Sequence, residues 1–398
     1  MKAVMYGGGN IGRGFIGMLF SASGFEVRFI DVAKPLIEEI NRRNSYPVRI
    51  LNGDTVTDIT VGPVYAVDGN DKEAASTAIA EADIVATAVG VRILPYIVPN
   101  LVAGIRKRFA AGDKPLNILI CENLNNANKI LEGMLKEQLT PEECERFDRQ
   151  IGLVEASIGR MVPIQTPEMQ AGDKLRVCVE EYGFLPVDGD AFKGEVPPIR
   201  NMLPVSPFDF FLKRKLFLHN MGHAVSAYLG ELAGCEYIWE AVGNGDIYAC
   251  AQNAMTDSAM ALSKRYGKPL PEILRHMEDL LFRFSNKALG DTCERVGREP
   301  ERKLSASDRL VGARKLCREE GSGTAFLDLA IGAALHRYLR EQSRPQTAEE
   351  AAKALKELSG EEIPEAIAFY EAILAGADAG TLRRMAEKQR KAALGAIV

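Results

Sequence analysis

The sequence predicts an α/β domain on a doubly wound parallel sheet over residues 1–203, then an all-α domain over residues 204–398. Three observations predict it. Short apolar runs alternate with helical patterns through the first half. Pro and Gly crowd together near residue 200. After Pro207 the strand signal vanishes, and apolar residues recur at helical spacing in Ala-, Leu-, Glu- and Lys-rich segments.

The strand candidates are Ala3–Tyr6, Glu26–Asp31, Ile84–Val89, Ile118–Cys121 and Leu153–Ser157. They are short apolar runs, the kind that a parallel sheet covered on both faces buries. Helical patterns such as Gly12–Ser23 and Pro35–Arg43 lie between them. Lys174–Leu185 reads as one or two further strands near the edge of the same sheet. Beyond Pro207, helices are expected over Phe208–Leu232, Asp246–Tyr266, Pro269–Ala288, Thr324–Arg340 and Ala348–Leu358.

Composition narrows the function classes. Apolar residues are 46% and charged residues 26%, which excludes a disordered or fibrous chain. Lys and Arg number 49 against 54 Asp and Glu, so there is no overall basic field and nucleic acid is not an expected partner. No apolar stretch reaches the length of a membrane span, so no membrane association is expected. No basic segment precedes the first strand, and no secretory leader is expected. The seven cysteines are widely spaced with no CxxC, which suits free thiols in a cytoplasmic protein. With only four histidines, no metal site is expected. A monomer is compatible with the sequence.

Gly7-Gly8-Gly9-Asn10-Ile11-Gly12 follows a strand and opens a helix. In that context G-x-G-x-x-G reads as a Rossmann-type dinucleotide loop. Gly7 permits the turn, Gly9 lets backbone approach a pyrophosphate, and Gly12 lets helix and strand pack closely. Asn10 and Ile11 complete the loop, and the new helix directs its free N–H groups at the anion. The next strand ends in Asp31, suited to the ribose 2′-hydroxyl and repelling a 2′-phosphate. NAD is therefore the expected cofactor. Arg28 and Lys34 flank Asp31 and could instead assist a 2′-phosphate.

The second informative stretch is Lys215-Leu216-Phe217-Leu218-His219-Asn220-Met221-Gly222-His223. At roughly 100° per residue, His223 lies about 80° from Lys215 on an α-helix, and Asn220 about 140°. The three converge only if that helix end lines a pocket. His219 and His223 have the spacing of a zinc-protease helix, but Asn220 stands where its general-base Glu would be.

Lys215-x4-Asn220-x2-His223 resembles the signature of the polyol-specific long-chain dehydrogenases. Gly9-Asn10-Ile11-Gly12-Arg13-Gly14-Phe15-Ile16-Gly17 is similar to the opening of that family, in particular of its phosphate-using branch. So is the run Arg295-Val-Gly-Arg298-Glu-Pro-Glu-Arg302-Lys303-Leu-Ser305-x2-Asp308-Arg309-Leu. The resemblance spans residues 1 to about 335 and continues more loosely beyond.

What it implies is metal-independent hydride transfer between NAD and carbon 5 of mannitol 1-phosphate, giving fructose 6-phosphate. By resemblance Lys215 is the general base, with a pKa far below the usual value of about 10.4 for Lys. Asn220 and Asn123, the latter in Cys121-Glu122-Asn123, would stabilise the alkoxide. His223 would orient substrate. Arg295, Arg298, Arg302 and Lys303 would provide the substrate-phosphate site, since an Arg fork suits a phosphate dianion. The active site is then expected in the cleft between the domains.

Two positions depart from the family pattern. Gly159 replaces an Asp, and Lys213 stands where an acid is common. The alternatives are a dehydrogenase of unphosphorylated polyols or hexuronates, and a catalytically silent NAD-binding redox sensor.

Overall fold

The computed structural model describes residues 1–53, 55–124 and 126–395. The chain forms two compact units, Met1–Asp209 and Phe210–Val398.

Unit 1 contains the strands β1 (Lys2–Tyr6), β2 (Glu26–Asp31), β3 (Tyr46–Asn52), β4 (Thr55–Val61), β5 (Val64–Asp68), β6 (Ile84–Thr87), β7 (Leu116–Ile120), β8 (Ile151–Glu155), β9 (Val177–Glu180), β10 (Leu185–Asp188) and β11 (Met202–Val205). Six form one sheet in the order β5-β2-β1-β6-β7-β8, with every pair parallel. Alternation within the apolar strands sends Ala3 and Met5 to one buried core and Val4 and Tyr6 to another, so both faces are covered. The strand order reverses between β1 and β6. Open α/β sheets bind ligands outside the carboxyl ends of the strands at such a point.

Three features differ from the sequence reading. β5 completes the main sheet beside β2, where no strand was expected. β3 and β4 form an antiparallel pair, and β9 joins β3 to make a separate three-stranded sheet. The expectation that Lys174–Leu185 extends the edge of the main sheet is therefore corrected. β10 pairs with β11 and is bridged at Ala156–Val187 to the end of the main sheet. The physical reason is non-local: β9 can pair only with a hairpin contributed more than 100 residues earlier in the chain.

Unit 2 is helical among its described residues. Its helices include Gly245–Tyr266, Leu270–Phe284, Val311–Glu320, Ala325–Glu341, Ala348–Ser359, Pro364–Leu374 and Ala379–Gly395. Ala325–Leu335 is buried on every side, matching its small apolar composition. Asp328, fully buried there, accepts from Arg314, from Thr324 at 3.0 Å and from Gln389 at 2.9 Å. That carboxylate ties three helices together. The seven cysteines are free thiols.

Candidate active site

The phosphate loop is built by close approach of backbone. Gly7 has φ +100, which suits glycine alone. A Cβ on Gly12 would overlap the Gly7 carbonyl oxygen, whereas one on Gly9 would meet nothing within 4 Å. Gly12 is therefore needed by the fold, and Gly9 leaves open space for a ligand. Asn10 is exposed beside it, and Ile11 packs on the core. Asp31, at the end of β2, accepts from the Gly8 N–H at 2.7 Å and from the Val32 and Ala33 N–H groups at 2.8 and 2.9 Å. Its carboxylate is thus locked at the rim of a cavity of about 990 Å³ that Gly8, Gly9, Pro35, Leu36 and Arg43 also line. This cradle fits the pyrophosphate and ribose of a dinucleotide. Arg28, which could have argued for a 2′-phosphate, is bound to Glu26 and Glu81 at 3.0 and 2.9 Å. Lys34 is exposed.

Asn123 stands exposed just past β7, at the carboxyl edge of the sheet. Its neighbour Glu122 is buried and accepts from the Val89 and Gly90 N–H groups at 2.9 and 2.8 Å. Glu122 thereby joins the loops that follow β6 and β7. Sequence reading passed over it because its partners are more than 30 residues away.

The helix carrying the signature starts at Asp209, the last residue of unit 1, and is continuous to Leu232 in unit 2, but Lys215–Asn220 is wound as a π-helix. This corrects the angles expected from an α-helix. In a π turn the backbone bonds join residues five apart, which brings residues five apart nearer to one face than in an α-helix. Lys215 and Asn220 have that spacing. The helix then returns to α geometry at Met221–Leu232, where i and i+3 are neighbours, and His223 follows Asn220 by three. The three side chains thus share one face. All are half-buried.

His223 stacks on Phe284, with centroids 4.7 Å apart and planes at 8°. Its Nε2 lies 3.2 Å from Asp291 Oδ2, and Asp291 also receives Arg295 Nε at 2.6 Å. Burial alone would raise the Asp291 carboxyl. The contacts with His223 and Arg295 outweigh burial and hold it below the usual carboxylate range. Buried His219, one turn earlier, is pushed well below the usual imidazole value by desolvation and then by Arg283 and nearby imidazoles, so it stays neutral. Asp291 and Phe284 escaped the sequence reading, since nothing marks them until the chain folds back on His223.

The cations of residues 295–309 are held internally. Arg295 is bound to Asp291 and Arg298 to Glu294. Arg302 lies 2.8 Å from Glu299 and 3.5 Å from Asp308. Lys303 is buried and donates to the Arg298 carbonyl. Burial, then Arg309 and Arg302, lowers its ammonium to about 8. Of the two departures, Gly159 faces the Tyr182 ring, which a Cβ would approach to 3.1 Å. The Lys213 ammonium lies 5.3 Å from the centre of the Phe217 ring. Among the described residues no group of three His, Cys, Asp or Glu is placed to hold a metal ion, and no helix is long and apolar enough to cross a membrane.

Residues 1–201 match the family model of the mannitol dehydrogenase Rossmann domain, and residues 207–373 match that of the mannitol dehydrogenase C-terminal domain. The chain belongs to the mannitol dehydrogenase family. It is an oxidoreductase with a dinucleotide-binding Rossmann domain and a helical C-terminal domain. It is 39% identical over 335 residues to the mannitol-1-phosphate 5-dehydrogenase of Brevibacillus brevis, covering 84% of this chain and 86% of that one. Its fold is similar to that of a substrate-free D-sorbitol dehydrogenase, at 16% identity and a TM-score of 0.78 over 97% of this chain and 95% of the other. It is also similar to Pseudomonas fluorescens mannitol 2-dehydrogenase, solved with NAD and D-mannitol, at 16% identity and a TM-score of 0.73. That match covers 98% of this chain and 94% of the other.

Proposed function

We propose that this member of the mannitol dehydrogenase family interconverts mannitol 1-phosphate and fructose 6-phosphate with NAD. One observation carries the catalytic part: the π turn that puts Lys215, Asn220 and His223 on one helical face. The 39% identical relative supports the choice of substrate.

Lys215 Nζ takes the proton of the reacting hydroxyl in the oxidative direction and returns it in the reductive one. Asn220 and Asn123 donate to the oxygen while it carries developing negative charge. His223, steadied by Asp291 and Phe284, holds a neighbouring substrate hydroxyl. Asp31 accepts from the adenosine ribose, and the Gly7–Gly12 loop receives the pyrophosphate. NAD, when bound, supplies the hydride acceptor. At least one of Arg295, Arg298, Arg302 and Lys303 receives the substrate phosphate, exchanging its internal carboxylate or carbonyl partner for phosphate oxygens.

A second reading has its own observation. Each of those four cations already has an internal partner, which favours a substrate without phosphate. Following NADH absorbance with fructose 6-phosphate and then with fructose decides between them. A strong preference for fructose 6-phosphate is expected. Equal efficiency with fructose installs the free-polyol reading. NADH binding without turnover on either sugar leaves a silent dinucleotide sensor.

A further inference from the structure

The cavity beside Asp31 has a second wall. Residues Gly172–Leu175 line it as a strap facing the helix Lys34–Arg43. Arg43 binds Asp173 with both terminal nitrogens, Nη1 to Oδ1 at 2.8 Å and Nη2 to Oδ2 at 2.9 Å. This is the two-point geometry in which a guanidinium also grips a phosphate. Arg43 lines the same cavity as Asp31, the proposed partner of the adenosine ribose.

The strap is held in place independently of that pair. Asp173 Oδ1 also accepts from the Leu175 N–H at 3.0 Å, and Leu175 is buried. The Leu175 carbonyl accepts from the buried Arg13, whose Nε donates to the Gly8 carbonyl at 2.7 Å. The position of Asp173 is therefore tied to the phosphate loop itself. The Arg43 contact holds its carboxyl below the usual carboxylate range, so the pair stays charged near neutral pH. The adjacent cation Arg42 is engaged by Glu39, Nε to Oε2 at 2.8 Å, and the same carboxylate lies 3.7 Å from Arg43 Nη1, a longer contact than the two that Asp173 makes.

We propose that Asp173 is a cofactor-selectivity residue, whose carboxylate occupies Arg43 and denies that guanidinium to the 2′-phosphate of NADP. The inference rests on the dinucleotide reading above and deepens it. Asp31 repels the 2′-phosphate, and Asp173 removes the cation that would attract it. Discrimination built from both a repulsion and a withheld attraction is a general device for excluding a near-identical ligand.

The full-length chain is titrated with AMP and with adenosine 2′,5′-bisphosphate. Wild type should favour AMP. Asp173→Asn should shift the ratio of affinities toward the bisphosphate by about tenfold, as expected when the fork loses its charged two-point partner and keeps only the 3.7 Å contact with Glu39. Adding Arg43→Gln should abolish the gain. The NADP to NAD ratio of kcat/KM should move in step. A strap that matters only structurally would weaken both ligands alike, so an unchanged ratio in folded Asp173→Asn overturns the inference. A gain that survives Arg43→Gln overturns it too. If the Asn variant does not accumulate, Asp173→Ser is held to the same ratio. Wild type that binds neither ligand defeats the dinucleotide reading itself, and this inference with it.

Discussion

Residues 7–12 and residues 295–309 are both short, chemically loaded segments, yet they dispose of their polar groups in opposite ways. In the first, the Gly7 and Gly8 N–H groups are taken by the Ile30 carbonyl and Asp31 at 2.8 and 2.7 Å, and the N–H groups that open the helix have no earlier turn to bond. The second carries its own counter-charges: Arg298 finds Glu294 one turn earlier, and Arg302 finds Glu299. A glycine loop stays open to a ligand because it has no side chains with which to close. A mixed-charge run satisfies itself, so a ligand must compete with partners already bound. Exposed pairs of this kind contribute only about 0–1 kcal/mol each, so a phosphate dianion can displace them.

The largest expected effect separates the two units. Lys215→Ala should lower turnover by about 10²–10⁴, the range for a lost general base, while NADH binding followed by fluorescence is unchanged. Asn220→Ala and Asn123→Ala should each cost about 10²–10³ in kcat. If Lys215→Ala retains more than roughly a tenth of wild-type turnover, Lys215 is not the base.

Within the glycine loop, two substitutions should part company. Gly12→Ala places a methyl against the Gly7 carbonyl and should destabilise the protein by about 2–3 kcal/mol or more, read by thermal melting. Gly9→Ala meets nothing in the protein and should melt like wild type, yet bind NADH about tenfold or more weakly, as expected where backbone must approach a pyrophosphate. Equal NADH affinity in Gly9→Ala would remove the pyrophosphate from this loop.

The charged run makes a smaller prediction. Arg298→Ala and Arg302→Ala should together raise KM for fructose 6-phosphate by about tenfold, with little change for fructose or NADH. If KM rises equally for both sugars, these arginines serve the fold and not the phosphate.

The smallest effect concerns Asp257, buried in unit 2 against Arg390 at 2.7 Å. Burial raises its carboxyl to about 6, with Arg390 pulling the other way. The folded state then holds a proton that the unfolded chain releases near pH 3.8. The stability this supplies is full below about pH 4 and lost as pH rises through about 6. Asp257→Asn lacks the titration, so the wild-type melting temperature should fall by a few degrees relative to the variant across that window. Parallel curves would place the Asp257 carboxyl near its ordinary value.

Legibility in the sequence followed distance along the chain. The strands β1, β6, β7 and β8 were readable because a doubly covered strand is mostly apolar over its own few residues, and β2 through Val27, Phe29 and Ile30 between charged ends. β4 was not, since all but its last residue are exposed and it carries little apolar signal. The dipeptide Asn52-Gly53, between two runs rich in β-branched residues, was the available hairpin cue. The Lys215, Asn220 and His223 positions stood out through their resemblance to a family. Their shared face did not, because the expected angles assumed α winding throughout.

The sequence by itself determined the alternation of strands and helices, the glycine loop with Asp31 at the end of the next strand, and the spacing of Lys215, Asn220 and His223. Each depends on residues close enough in the chain for local geometry to relate them. Tertiary structure alone decided that Lys215–Asn220 winds as a π turn, that Asp291 meets His223 from 68 residues away, and that Asp173 grips Arg43 from 130 residues away. It also decided that β9 pairs with β3. These contacts depend on which surfaces remain to be covered once the local elements exist. A carboxylate finds its cation, and a strand its edge, only after the chain between them has packed.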